Sequence, residues 1–458
     1  MAPQRSSTLT LVAAYLGLVL GLIDSNAVNL ALPAISTHLG GGLTAAQWTV
    51  DAYNMTFAAL LLGAGTLGDA FGRRRLLRIG VVVFVAASMC CALAPSLPVL
   101  LAGRAVQGAA AALMLPQGLA IAAAAFPDAP GRARATAAWA IAAASSTALG
   151  PILGGVLTQS VSWRAIFWLN VPVGVVALAI SYRYLPESSD PRRPRLDIGS
   201  QLLAATGLAA LTLALVQGRH LGAAPTAALV VVTVACITTF VVRQRRIAQP
   251  MVPPELVRHR SLRAGLVATF AMTFGTYGLV LINSLAFQQL RGATPLTTAL
   301  QFLPLPMTYL ALIPVVNVVA RRTGARVAIA AGLTTLAAAL TIYGAAGPTA
   351  PLGWIEAALV LAGAGLAVTT GPAVSVALSS VPSQNTGLGS GLVNLSRLTG
   401  ITVGTAALGS LYGSGGGARA AMAVGTAVLL IGGVLSVRWG MPEEAASDPA
   451  VEKEASHA

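Results

Sequence analysis

Long stretches of this chain carry no charged residue at all, among them 79–103, 105–127, 135–163, 264–290, 292–320, 327–355 and 357–396. Each exceeds the ~20 apolar residues that a helix needs to cross a bilayer. Only 9% of the 458 residues are charged and 56% are hydrophobic, whereas a water-soluble domain carries about 25% charged residues. Such a chain cannot cover a water-facing surface of normal size. It reads as an all-α polytopic membrane protein. A spanning barrel would alternate polar and apolar residues, and these runs do not.

The formal net charge of +14 does not point to nucleic acid. Of the 28 basic residues 27 are arginine, set in short clusters between apolar runs. That placement fits basic residues marking the cytoplasmic ends of spanning helices, not a basic face. Cys90, Cys91 and Cys236 all lie inside apolar runs, so neither a disulfide framework nor a metal site is expected. The first apolar run leads into a longer pattern without an A-x-A boundary, so no cleavable signal is expected.

Charges, Pro and Gly delimit fourteen candidate spans, near 8–32, 47–68, 78–95, 98–125, 135–158, 165–184, 197–217, 224–242, 264–289, 296–319, 327–346, 354–378, 386–411 and 419–438. A count of twelve follows if two of the weaker runs are re-entrant or merged. With a cytoplasmic N-terminus, the loops after even-numbered spans hold 19 arginines and the opposite loops only four, Arg164, Arg219, Arg291 and Arg419. That bias places both termini in the cytoplasm of a cell with a multi-pass inner-membrane protein. Polar connections at 185–196 and 243–263 divide the chain into a six-helix bundle (1–185), a two-helix insert with its loops (186–262) and a second six-helix bundle (263–440). The tail 441–458 is acidic and expected to be disordered. Two equal blocks of six imply an internal duplication, as in many secondary transporters.

GTLGDAFGRRR at Gly65–Arg75 falls at the cytoplasmic junction of spans 2 and 3. Its glycines permit a tight turn, and Asp69 amid Arg73, Arg74 and Arg75 can clasp two helix ends in one state and release them in another. The alternative reading is an ordinary charged loop. This G-x-L-x-D-x-x-G-R-R pattern resembles the major facilitator superfamily. LIDSNAVNLALPAI, QWTVDAYNMTFAALLLGAG, LLAGRAVQGAAAALMLP, ALGPILGGVL, WRAIFWLNVPVG and GLVNLSRLTGITVG resemble its fourteen-span drug:proton antiporters. The fourth of these carries the antiporter G-P-x-x-G-G as Gly150, Pro151, Gly154 and Gly155. Two departures stand out. Ser146 replaces a further glycine before that motif, and the second copy of the loop motif survives only as ARRTGAR, with Arg321 in place of the acid.

Ionised side chains are costly at mid-bilayer and therefore usually face an aqueous cavity and work. Asp24 lies about ten residues, or ~15 Å, from the outer end of span 1. Asp51 lies near the outer start of span 2, and Arg104 in the outer third of span 4. All three are expected to reach one outward-half cavity. Asp24 is read as proton carrier or cationic-substrate site, against a helix-connecting role. Asp51 is read either the same way or as an inert interfacial acid, and Arg104 as functional rather than snorkelling. Glu356, beside Trp354, reads as an interfacial anchor, and Arg397 needs a partner that the sequence does not name.

Enzyme motifs are missing. There is no P-loop for ATP, and His38, His220, His259 and His457 are scattered. The resemblance implies a non-enzymatic antiporter with no cofactor and no ATPase subunit. It would expel drugs or toxic natural products by alternating access, driven by protons entering down their gradient. A proton-driven importer of a small nutrient and a non-transporting membrane receptor are the alternatives.

Overall fold

In lipid, a backbone must satisfy its own N–H and C=O groups, so long apolar runs become helices. The computed structural model describes residues 3–126, 129–185, 187, 197–247, 250, 252, 254–379, 381, 386–413 and 417–439, and among these no strand occurs. The first six helices are α1 (Pro3–Leu39), α2 (Gly42–Phe71), α3 (Arg73–Ala92), α4 (Leu97–Ala125), α5 (Ala129–Ser160) and α6 (Arg164–Tyr184). Then come α7 (Ile198–Leu221), α8 (Ala223–Arg246), the short α9 (Pro254–Arg258) and α10 (Arg260–Leu285), which ends in a π-turn at Ala286–Leu290. The last six are α11 (Pro295–Phe302), α12 (Pro304–Thr323), α13 (Ala325–Ala346), α14 (Leu352–Ser379), α15 (Thr386–Leu411) and α16 (Gly417–Trp439). Among the described residues, eleven helical stretches are long and apolar enough to cross a membrane. One expected span is not continuous. The run 296–319 is interrupted for one residue at Leu303, which keeps helical dihedrals (φ −54°, ψ −33°), between α11 and α12, where Pro304 and Pro306 remove two backbone donors.

The second set of helices repeats the contacts of the first. Within the first set α1 packs on α4, α5 and α6, α3 on α4 and α6, and α2 on α4. Within the second, α10 packs on α14, α15 and α16, α13 on α14 and α16, and α12 on α14. The joint between the sets is also reciprocal, α2 against α15 and α5 against α11. The turns repeat too. Gly72 joins α2 to α3 at φ 99°, and Gly324 joins α12 to α13 at φ 86°, a left-handed backbone that a side chain would strain.

Side-chain contacts fix which ends share a face. Thr10 near the start of α1 donates to the Tyr184 carbonyl at the end of α6, and Ser436 near the end of α16 donates to Ala264 at the start of α10. We call this the terminus-bearing face and the opposite one the far face. The helices α7 and α8 pack on each other, and α7 also touches α2 and α15, while α8 is largely exposed. The side chains of Asp69 and Arg321, the surroundings of Gly65 and the tail 441–458 lie outside the described positions.

Candidate functional site

Asp24 and Arg104 form one buried pair, each 1% exposed. Arg104 Nη1 donates to Asp24 Oδ2 at 2.5 Å and to Gln107 Oε1 at 2.9 Å. Asp24 Oδ1 accepts from Asn170 Nδ2 at 2.7 Å and from Gln107 Nε2 at 3.4 Å. Asn170 also donates to Ser88 Oγ, which in turn donates to the Phe167 carbonyl. The guanidinium stacks over the Tyr53 ring at 4.4 Å and its Nε donates to the Thr49 carbonyl at 3.1 Å. Helical spacing explains the convergence. Arg104 and Gln107 are three apart and share a face of α4, and Gly108 lets α4 close on α2, where a Cβ would collide with the Tyr53 carbonyl. A desolvated ion pair is sustained only when its remaining hydrogen-bonding positions are also filled, and here Gln107, Asn170 and the Thr49 carbonyl fill several of them.

Asp51 is in a different place. It is fully buried on the face of α2 that meets α15. Its Oδ1 accepts from Thr405 Oγ1 at 2.7 Å, and its Oδ2 has no partner among the described residues. One turn earlier, Gln47 Nε2 donates to the carbonyls of Thr405 and Ala406. The expectation that Asp24, Asp51 and Arg104 meet in one cavity is therefore corrected. Asp24 turns toward α4 and α6 inside the first set of helices, because the 100° step per residue puts it on the opposite face of α1 from Asn26. Asp51 is not the exposed interfacial acid that its position near a helix start allowed.

The described hydrogen bonds between α1–α6 and α10–α16 all lie toward the far face. Besides those of Gln47 and Asp51, Ser284 donates to the Asn29 carbonyl, Gln288 to the Leu30 carbonyl, and the Leu296 N–H to Gln159. Below them, a pocket between the two sets is lined by Asn26, Asn29 and Pro151 on one side and Thr276, Tyr277 and Phe302 on the other. The amide nitrogens of Asn26 and Asn29 donate to Leu22 and Ser25 one turn back. That pins both amides and leaves their oxygens as acceptors. Gly150 and Gly154 press α5 on α1 at Asn26 and Ala27, while Gly155 meets Ala299 of α11. The G-P-x-x-G-G run thus touches both sets of helices, with Pro151 at the pocket. Ser146 turns its hydroxyl back to the Ala142 carbonyl.

Arg397 of α15 is partly buried near this pocket, within electrostatic range of Tyr53, Tyr277 and Tyr309. Its guanidinium makes no hydrogen bond or ion pair among the described residues, and its Nε is buried without a partner. Glu356 is half-buried near the start of α14 beside the exposed Trp354, at the far face.

At the terminus-bearing face, Arg73 Nη1 reaches the Ala120 carbonyl of α4 at 3.4 Å. Arg74 pairs with Glu187, whose Oε1 also accepts from the Arg74 N–H, and donates to the Leu185 carbonyl. Gly72 faces the same Glu187 carboxylate. The sequence reading did not single out Glu187, Ser88 or Thr405. An acid just after the sixth span was a usable signal for the first, but a lone Ser or Thr in an apolar run carries none.

The family model described as Major Facilitator Superfamily matches residues 14–405 and 265–458. "Multidrug resistance protein Stp" of Mycobacterium tuberculosis is 36% identical over 412 residues, covering 89% of this chain and 76% of that protein. "Methylenomycin A resistance protein" of Streptomyces coelicolor is 33% identical over 440 residues, covering 93% and 91%. A crystal structure of a POT family transporter in complex with a thioalcohol-conjugated peptide superposes with TM-score 0.68 at 15% identity, covering 95% of this chain and 94% of that one. At that identity the likeness concerns the fold alone.

Proposed function

The chain belongs to the Major Facilitator Superfamily, and from that premise we propose that it is a proton-coupled exporter of toxic small organic molecules, of the fourteen-span antiporter branch. Adding α2, α5 and α15 to the eleven spanning stretches supports that count. The repeated contacts support two six-helix bundles, 1–185 and 263–440, joined through the α7/α8 insert at 186–262. The arginine bias puts the terminus-bearing face in the cytoplasm. In that orientation the bundles are closed on the outer side, and rocking about the central pocket provides alternating access. The names of the relatives, multidrug and methylenomycin A resistance, favour export.

The observation that carries proton coupling is Asp51, a fully buried carboxylate whose hydrogen bond to Thr405 crosses between the bundles. Thr405 Oγ1 is also within bonding distance of the Ile401 carbonyl at 2.9 Å. Its single proton can therefore go either to Asp51 or back to its own helix, at the Ile401 carbonyl or the Thr402 carbonyl at 3.1 Å. When Asp51 is ionised the hydroxyl donates to it, a charge-assisted bond. When Asp51 is protonated, the acid donates to the hydroxyl, which turns to Ile401. The second arrangement is neutral and roughly half as strong, so loading a proton loosens the outer closure. Asp24 and Arg104 take the supporting part. Through Arg104 and the Thr49 carbonyl they hold the start of α2 to its own bundle, so that Asp51 moves with it. The α2–α3 junction from Gly65 to Arg74, with Asp69 and Arg73, serves as the clasp at the cytoplasmic side.

Everted vesicles test this reading. A toxic substrate added to energised wild-type vesicles should dissipate the proton gradient, and Asp51→Asn should abolish that response while the protein still reaches the membrane. A mutant that moves protons as the wild type does overturns the assignment. Protection of cells that vanishes with a protonophore supports export, and sensitisation overturns it.

A further inference from the structure

The proposed exporter leaves Arg397 unused, and Arg397 is the anomaly of the bilayer interior. A guanidinium at mid-bilayer usually pairs with another group or faces an aqueous cavity. Arg104 is paired with Asp24 and bonded to Gln107 and the Thr49 carbonyl. Arg397 is midway along α15 and has no carboxylate within ion-pair distance and no acceptor among the described residues. Tyr53, Tyr277 and Tyr309 lie within electrostatic range of it. Asp24 beyond Tyr53 is already bound to Arg104, and Asp51 bonds α15 at Thr405, eight residues or ~12 Å further along the helix.

Tyr277 lines the central pocket and lies within electrostatic range of Arg397, which is not itself in the pocket wall. The rest of that pocket is largely apolar, with Leu30, Val280, Leu305 and Leu366 in its wall. Thr276 Oγ1, at its edge, is buried without a partner. From this placement we infer that Arg397 receives the acidic group of the transported molecule, so that the substrate is an amphiphilic organic anion. Its apolar body lies in the slot, and any hydroxyl it carries can donate to the pinned amide oxygens of Asn26 and Asn29. A planar guanidinium suits this task because it can meet a carboxylate with two parallel donors. This inference rests on the central pocket being the transport site and deepens that reading. It also fits the energetics of export. An anion leaving a cell with a negative interior is driven outward by the membrane potential, about 50-fold in concentration per charge at 100 mV.

The test is equilibrium binding to the full chain in detergent, which depends on neither proton coupling nor transport direction. The probes are fluorescein, an anion, and a cationic rhodamine on the same xanthene frame, followed by fluorescence anisotropy. The wild type should bind fluorescein more tightly than the rhodamine. Arg397→Gln should weaken fluorescein by about tenfold or more and leave the rhodamine and the melting temperature nearly unchanged. Arg397→Lys, which keeps the charge, should recover part of the loss. Tighter binding of the rhodamine by the wild type overturns the inference without any variant. So does an Arg397→Gln chain that loses both probes equally or neither. Failure here, with proton movement still dependent on Asp51, would remove the anion assignment and leave the exporter standing.

Discussion

The two sets of helices handle an intramembrane arginine in opposite ways. In the first, Arg104 has a carboxylate, an amide, a backbone carbonyl and an aromatic face around it. In the second, Arg397 has tyrosines nearby and no acceptor among the described residues. The two arginines stand on non-equivalent helices of the repeat, since α14 takes the contacts of α4 and α15 those of α5. A paired charge network fixes a bundle internally, because moving any member strands another. A partly buried charge whose Nε has no partner does the reverse, since a group that completes it can bind there. The difference separates a charge that builds the protein from one that awaits a ligand.

Stability measurements should break or confirm this contrast most sharply. Asp24→Asn leaves the Arg104 cation buried without its counter-charge, at a cost of about 3–5 kcal/mol. Thermal unfolding in detergent should show a large drop, with much of it recovered in Asp24→Asn/Arg104→Gln. Arg397→Gln should move the transition little or upward. Equal drops for the single Asp24 and Arg397 variants would erase the distinction.

The neighbouring glycines of α5 offer a smaller test of the same division. Gly154→Leu collides with α1 inside its own bundle, where overpacking costs about 1–3 kcal/mol and lowers the melting temperature. Gly155→Leu collides with Ala299 of the second set of helices, a clash that the proposed rocking would relieve. Its expected signature is faster far-face labelling of a cysteine placed by Gln288→Cys, with little loss of melting temperature.

The smallest effect is expected at Asp197, which caps α7 and bonds Arg243 of α8 outside the membrane. Burial pushes its carboxyl upward, but hydrogen bonds from Ser200 and Arg243 outweigh this and hold it below the ordinary carboxylate range. A lowered folded value means the stabilisation is present above about pH 4 and is lost as pH falls through the folded value. Removing the cap with Asp197→Ala should cost about 0.5–2 kcal/mol at neutral pH. Hydrogen exchange at the start of α7 should then lose its acid dependence. Unchanged exchange would show that the insert contributes no local electrostatic stability.

Much of this was legible in the chain. Runs such as 135–158 and 327–346 announced α5 and α13, because a bilayer permits little else of them. Arg104 announced a charge inside α4. The partners were less legible. Asp24 and Asp51 are both lone acids in apolar helices, and only the rotation of α1 and α2 against their neighbours sends one to Arg104 and the other to Thr405. The interruption at Leu303 was hidden because Pro304 and Pro306 also occur inside continuous-looking runs, and Pro151 and Pro372 lie within unbroken helices.

The amino-acid order alone settled that the chain lives in a membrane, is helical and carries a handful of charges that require an explanation. These follow from composition and from the distance that charge-free runs can cover, which are properties of the string. Tertiary packing decided which charges are silenced and which are left open. That choice depends on a few ångströms between side chains on different helices, and pairing distances between remote residues are not written in local spacing.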